Sequence, residues 1–302
     1  MRRAVLDTNG NGITSGRSLA ALRWTARTFM SHFMADRNVE FTGSIPVAYD
    51  RYLGPMLFEP YAADLVARLG SVPIAAVLEV AAGTGILTAQ LRHAIPARAA
   101  LTATDLNDPM LTFARAKLPG PGITWQLADA QELPFPDASF DVVACQFGIM
   151  FVPDKARAFV EARRVLRPHG QLAFNVWRFL AENPVGRIAH DIIGEFFSSD
   201  PPTFYEVPFG FHDEAMIRQL LLAANFDVVS CHAVSLEARS VSALDAARGL
   251  VTGNPILLTV AERATAPVDE IIEAVAAALA TEGGGAPFRL PMRALVVVAR
   301  AA

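Results

Sequence analysis

The run Val77-Leu78-Glu79-Val80-Ala81-Ala82-Gly83-Thr84-Gly85-Ile86-Leu87-Thr88 decides how the rest of the chain is read. Apolar residues of strand length, 74–80, carry an acid near their end and give way to small residues. From Ile86 to Leu91 the apolar spacing turns helical. The pattern predicts a buried strand, a tight turn and a helix, in that order. Glycines at 83 and 85 lack the Cβ atoms that would block a close approach and permit positive φ, while the first turn of a helix leaves backbone N–H groups free. Such a corner can hold a nucleotide-like ligand. Glycines also sit where a strand and a helix merely pack closely, and the turn alone leaves both readings open.

Beyond the turn, strand and helix alternate. Residues 101–105 read as a short strand ending in an acid, 109–117 as a helix, 123–128 as a third strand and 140–145 as a fourth, buried one. A helix over 159–166 is stopped by Arg167-Pro168-His169-Gly170, and 171–177 is a fifth strand. The alternation predicts parallel connections. In an open parallel sheet the polar strand ends, Glu79 to Gly85, Asp105, Asp129-Ala130 and Gln146, gather at one crevice. After Trp177 the alternation ends. Helix-like segments at 185–197 and 213–224 surround an aromatic, proline-bearing loop at 201–211 and read as a cap. Final strands are expected at 226–236 and 294–299, with helical material at 241–251 and 266–280 and a flexible hinge at Gly283-Gly284-Gly285.

Upstream, residues 1–33 hold Arg2, Arg3, Arg17, Arg23 and Arg27 against one acid, Asp7, with Asn-Gly and Ser-Gly breakers. Poor order is expected there, either as a transit peptide or as an extension ahead of a second start at Met34. Tyr49 and Tyr52, three apart between prolines and glycines, would share one face of a short helix. They suit a gate over a bound ligand and equally suit simple packing. Residues 57–69 read as an amphipathic helix leading to the first strand.

The 302 residues are 52% hydrophobic and 19% charged, ample apolar material for a sheet covered on both faces. Net charge is -4, and no cluster of Lys and Arg of the kind that neutralises a phosphate backbone is present, which argues against nucleic acid as a partner. No apolar stretch reaches the roughly 18 residues of a membrane span. The two cysteines, Cys145 and Cys231, lie in apolar strand-like runs and suit a reduced, cytoplasmic setting better than a disulfide framework.

Several ordered motifs between Val77 and Trp177 together resemble the class I S-adenosylmethionine-dependent methyltransferases, particularly the small-molecule group that includes the ubiquinone and menaquinone C-methyltransferases. These are Glu79-Val80-Ala81-Ala82-Gly83-Thr84-Gly85, Asp105, Asp129-Ala130, Phe140-Asp141-Val142-Val143 and Arg164-Val165-Leu166-Arg167-Pro168-His169-Gly170-Gln171-Leu172. The resemblance implies an α/β, Rossmann-like, seven-stranded, mostly parallel sheet of order 3-2-1-4-5-7-6 with a helical cap insertion. One domain would span 34–302, with a cofactor-binding core at 41–177 and the cap and last strands at 178–302. It implies S-adenosylmethionine as cofactor, with Gly83 and Gly85 admitting its methionine and ribose portions and Glu79 favouring its ammonium. Asp105, followed by Leu106, would hold the ribose hydroxyls, since a carboxylate only accepts. Asp129 and the Ala130 amide would meet the adenine, and the backbone around Gln146 the ammonium. Ala81 stands where many members have glycine, and its methyl would narrow the turn slightly. Asp141 is expected to be structural, at the strand mouth opposite the crevice.

The function so implied is methyl transfer to a small, hydrophobic or aromatic acceptor, with no metal and a homodimer left open. A catalytic base is not required, because the cofactor brings the reactive group and the protein mainly orients and desolvates. Substrate-side candidates are Tyr49, Tyr52, Phe147, Met150 and, in the cap, His190 and His212. Two alternatives stay open: a nicotinamide-dependent oxidoreductase, since Asp105 lies about twenty residues beyond the turn, and a non-catalytic cofactor-binding regulator. Thr88 at the third glycine position argues against the oxidoreductase.

Overall fold

The computed structural model describes residues 37–69 and 73–302, and Asn38–Ala302 forms one compact unit. The extension expected at 1–33 lies outside the described residues. In chain order the elements are α1 (Ile45–Ala48), a π-helix (Tyr49–Phe58), α2 (Glu59–Ala67), β1 (Ala76–Val80), α3 (Ile86–Ala94), β2 (Ala100–Asp105), α4 (Asp108–Lys117), β3 (Ile123–Leu127), β4 (Phe140–Gln146), α5 (Lys155–Val165) and β5 (Leu166–Trp177). There follow α6 (Pro184–Glu195), α7 (Glu206–Phe209), α8 (Glu214–Ala223), β6 (Phe226–Ser240), α9 (Ala243–Thr252), α10 (Ile256–Arg263), α11 (Val268–Gly283) and β7 (Phe288–Ala301).

Among the described residues seven strands form one sheet in the order β3-β2-β1-β4-β5-β7-β6, as expected. β1 to β5 pair in parallel, while β7 runs antiparallel between β5 and β6. β1 and β4 are near-continuous apolar runs buried on both faces, which places them at the centre, whereas β3 alternates partly exposed residues at one edge. Asp141 opens β4 by accepting from the Ala75 and Ala76 amides, at 2.7 and 2.8 Å, and pairs with Arg167 at 2.6 Å. It thus joins three strand starts at the end of the sheet away from the crevice.

Several local expectations change. β5 begins at Leu166: Phe140 pairs with Leu166 and Val142 with Gln171, so Arg167-Pro168-His169-Gly170 forms an irregularity within the strand, with His169 at φ 63°. β6 and β7 are longer than their apolar cores and stay paired from Phe226↔Ala301 to Ser240↔Phe288. α10 was not anticipated, since Ile256-Leu257-Leu258 gives no helical alternation. The glycine hinge is instead a bonded turn: Gly283 ends α11, Gly284 takes φ 81°, and the Gly285 carbonyl accepts from Ala243 at 2.8 Å. The residues between β6 and β7 therefore add a second part to the cap, in which α11 packs on α6 and α9, and α9 packs on the π-helix.

Candidate active site

At the carboxyl ends of β1 to β4 the expected crevice forms. Ala82 donates to the Thr104 carbonyl at 2.8 Å, and Gly83 donates to Asp105 Oδ2 at 2.8 Å, so the loop after β1 is pinned to the end of β2. Asp105 Oδ1 accepts from the Asn107 amide at 2.8 Å. Burial raises the Asp105 carboxyl above its usual range, opposed by the amides of Asn107 and Gly83. The two glycines differ in role. Gly83, at φ 55°, has only the Met110 methyl near its absent side chain, and faces the crevice. Gly85, at φ 80°, is buried with Leu118, Ala114 and Trp125 at 3.0 to 3.4 Å from where a Cβ would be. The absence of a side chain at Gly85 allows close packing of the turn on α4 and β3.

Glu79 is 1% exposed, and its Oε2 has no partner among the described residues; neither have Thr84 Oγ1 and Thr88 Oγ1. Burial pushes the Glu79 carboxyl up to about 8. Thr88 stands beside it and eases that penalty without reaching hydrogen-bond geometry, and Asp105 adds to it. A buried carboxyl with an open oxygen is costly unless a cation or donor meets it. The two threonines were within the quoted run but carried no separate signal. Leu106 is 61% exposed beside Asp105, an apolar face at the crevice rim. Asp129 Oδ1 accepts from the Gln131 amide at 2.8 Å, and Ala130 follows it. Gln146 donates through Nε2 to the Phe58 carbonyl at 2.7 Å, tying the end of β4 to the end of the π-helix.

A cavity of about 80 Å³, room for several water-sized groups, adjoins this crevice. Its wall includes Tyr49, Phe58, Phe147, Met150, Trp177, Tyr205 and Phe209. Phe147 stacks on Trp177 at 4.0 Å between centroids, and Tyr49 stacks on Phe58 at 4.7 Å. Phe147 takes φ 50°, held by Asn175, whose carbonyl and Oδ1 both accept from its amide. Met150 is fixed by the Trp177 amide, which donates to its sulfur at 3.3 Å.

Tyr49, Phe147 and Met150 thus come together on one wall, and Tyr52, His190 and His212 do not join them. The reason for Tyr52 is helical pitch. In a π-helix, with its i→i+5 bonds, a turn takes more residues than in an α-helix. Tyr49, Leu53 and Leu57-Phe58 therefore line the cavity, and Tyr52 turns away toward Gly249, under the Arg51 guanidinium. His212 donates through Nδ1 to the Phe209 carbonyl at 2.6 Å and packs on Phe179. His190 lies on α6 with a buried Nδ1 that has no partner among the described residues. Sequence reasoning also missed Trp177, Leu250, Asn254 and Met292 in the wall, because nothing local marks residues that meet only through the cap.

Tyr49 links the two spaces. Burial, then the Asp105 and Asp50 carboxylates, raise its phenol well above the usual tyrosine range, so it lies in the field of the crevice acid while forming part of the cavity wall.

Residues 78–174 match the family described as "Methyltransferase domain". The ubiquinone/menaquinone biosynthesis C-methyltransferase of Shewanella piezotolerans is 41% identical over 107 residues, 34% of this chain and 43% of that protein. Its counterpart in Shewanella sp. strain W3-18-1 is 31% identical over 176 residues, 53% of this chain and 69% of that protein. This chain thus spans less than half of the first relative's length and just over two thirds of the second's. Among solved structures, a candidate methyltransferase from Bacillus halodurans superposes with a TM-score of 0.53 at 19% identity, covering 80% of this chain and 98% of that one. The [4+2]-cyclase SpnF superposes with a TM-score of 0.52 at 18% identity, covering 80% of each. Those two likenesses concern the fold, and the cyclase illustrates that the fold alone does not set the reaction. With the ordered strand ends, the matched domain and the relatives taken together, the chain belongs to the class I S-adenosylmethionine-dependent methyltransferases.

Proposed function

We propose that this chain moves the methyl group of S-adenosylmethionine onto a small, apolar, aromatic acceptor held in the aromatic cavity. The observation that carries the reading is the hydrogen bond from Gln146, at the end of β4, to the carbonyl of Phe58, which walls the cavity together with Tyr49. The residues of the crevice fit the cofactor. The open Glu79 Oε2 and the Thr84 and Thr88 hydroxyls are buried polar atoms that an ammonium and carboxylate would satisfy. Asp105 keeps lone pairs for ribose hydroxyls, exposed Leu106 offers a flat ring an apolar face, and Asp129 with Ala130 would meet the adenine edge.

When bound, the cofactor supplies an electrophilic methyl on a positive sulfonium. The chain's own part is to orient the acceptor, exclude water and place its nucleophilic atom in line. No Asp, Glu, His, Lys, Arg or Cys is among the described residues lining the cavity, so this reading assigns a general base to none of those described residues. The Tyr49 phenol, its pKa raised, stays protonated at neutral pH and can donate to the acceptor. The relatives are named for C-methylation in quinone biosynthesis, and an aromatic ring with apolar substituents is the kind of acceptor these walls would admit.

Mass spectrometry of the purified protein for bound cofactor, followed by methyl transfer to a panel of phenols, naphthols and sugars, tests the reading. Bound S-adenosylmethionine or its demethylated product with transfer confined to aromatic acceptors is the expected result. Preferential binding of a nicotinamide nucleotide, or cofactor binding with no transfer to any panel member, would overturn it.

A further inference from the structure

The cavity wall is apolar except for a few groups, and one of these is already oriented by the fold. Asn254 follows the end of α9 and is 8% exposed. Its Nδ2 donates to the Leu250 carbonyl at 3.1 Å, an orphan acceptor in the last turn of that helix. The Tyr205 hydroxyl donates to the same carbonyl at 2.9 Å. These bonds fix the side chains' polarity, because the carbonyl can only accept. The amide nitrogen must face Leu250, and the Tyr205 proton is spent there as well. What remains is Asn254 Oδ1, which has no donor among the described residues, while the Asn254 amide also lies against the Tyr205 oxygen. Both residues line the cavity.

We propose that Asn254 Oδ1, oriented by the bond from Nδ2 to the Leu250 carbonyl, is an acceptor in the cavity wall that selects methyl acceptors bearing a hydroxyl or N–H donor. A carbonyl, ether or carboxylate of the same shape would meet a lone pair there and leave the amide oxygen unsatisfied. Capping of α9 accounts for one Nδ2 proton and the Tyr205 proton; it gives no use to the amide oxygen. The inference rests on the reading of the cavity as the acceptor site and adds to it the polarity of the ligand.

Calorimetry on the full chain saturated with S-adenosylhomocysteine, with 2-naphthol and 2-methoxynaphthalene as probes, tests it. Naphthol should bind about tenfold more tightly, as expected for one neutral hydrogen bond to an otherwise unsatisfied acceptor. Asn254→Leu should bring the two affinities together with methoxynaphthalene binding retained, and Tyr205 still satisfies the Leu250 carbonyl in that variant. Equal binding of the two probes to the wild-type protein would overturn the proposal whether or not the variant folds, and so would a preference that persists in Asn254→Leu. If neither probe binds while S-adenosylhomocysteine does, the apolar-acceptor reading fails, and this proposal with it.

Discussion

The Ala81 methyl fills the space that a side chain at position 148 would need: a Cβ on Gly148 would lie 2.3 Å from Ala81 Cβ and 3.0 Å from Cys145 Sγ. Gly148 has φ -93°, ordinary for any residue, so it is space and not dihedral angle that calls for glycine there. Ala81, conversely, sits at φ 56°, where glycine is the usual occupant. The loops after β1 and β4 thus carry a swap, with the methyl on the first and its absence on the second. Gly148→Ala should destabilise by about 1 to 3 kcal/mol through overpacking. Ala81→Gly should recover a large part of that loss in the double variant, though less than all, because Cys145 remains close. Chemical denaturation of the four proteins in the cycle measures the coupling, and additive effects would deny the contact.

Asp105 holds the loop through Gly83 and is the proposed ribose partner. Asp105→Asn, which keeps the shape, should weaken S-adenosylmethionine binding by about 1.5 to 3 kcal/mol, the worth of a hydrogen bond to a charged group. Calorimetry on a variant whose circular dichroism is unchanged decides the point; retained affinity would remove Asp105 from the site.

Glu79 predicts a pH dependence. Its carboxyl is pushed from 4.5 to about 8 by burial, so the folded, cofactor-free chain keeps a proton that the unfolded chain releases in that window. The stabilising contribution is complete below the unfolded value and is lost as pH rises toward the folded one. The melting temperature of the cofactor-free protein should therefore carry a component that falls between about pH 5 and 8, and Glu79→Gln should remove it. A bound ammonium favours the ionised carboxylate, so cofactor binding at neutral pH should release close to one proton in the wild type and fewer in the variant. Titrations in buffers of different ionisation heat count that proton.

The π-helix makes a contrast between two tyrosines. Tyr49→Phe and Met150→Ala should alter the ranking of acceptors while leaving cofactor affinity nearly unchanged, whereas Tyr52→Phe, on the face turned to α9, should alter neither. Steady-state kcat/KM over an acceptor panel reads this. An equal drop on all acceptors with a lower melting temperature would mark Tyr49 as packing only.

The residues from Val77 to Trp177 by themselves determined the alternation of strands and helices and the place of the crevice, while the order of the sheet followed from the family resemblance those residues carry. Period-two and period-3.6 apolar spacing is local, the acids fall at strand ends, and a parallel alternation has few ways to close. Asp141, set apart from the crevice on position alone, does join strand starts at the far end. What only the tertiary structure decided depends on contacts between distant segments. The division of labour between Gly83 and Gly85 depends on what packs behind each, and Leu118 and Trp125 are not neighbours in sequence. Which tyrosine faces the cavity follows from a wide helical turn that α-helical spacing does not foresee. Asn254 and Leu250 reach the wall only because the segment between β6 and β7 folds back over the π-helix, a long-range packing choice that leaves no periodic trace in the chain.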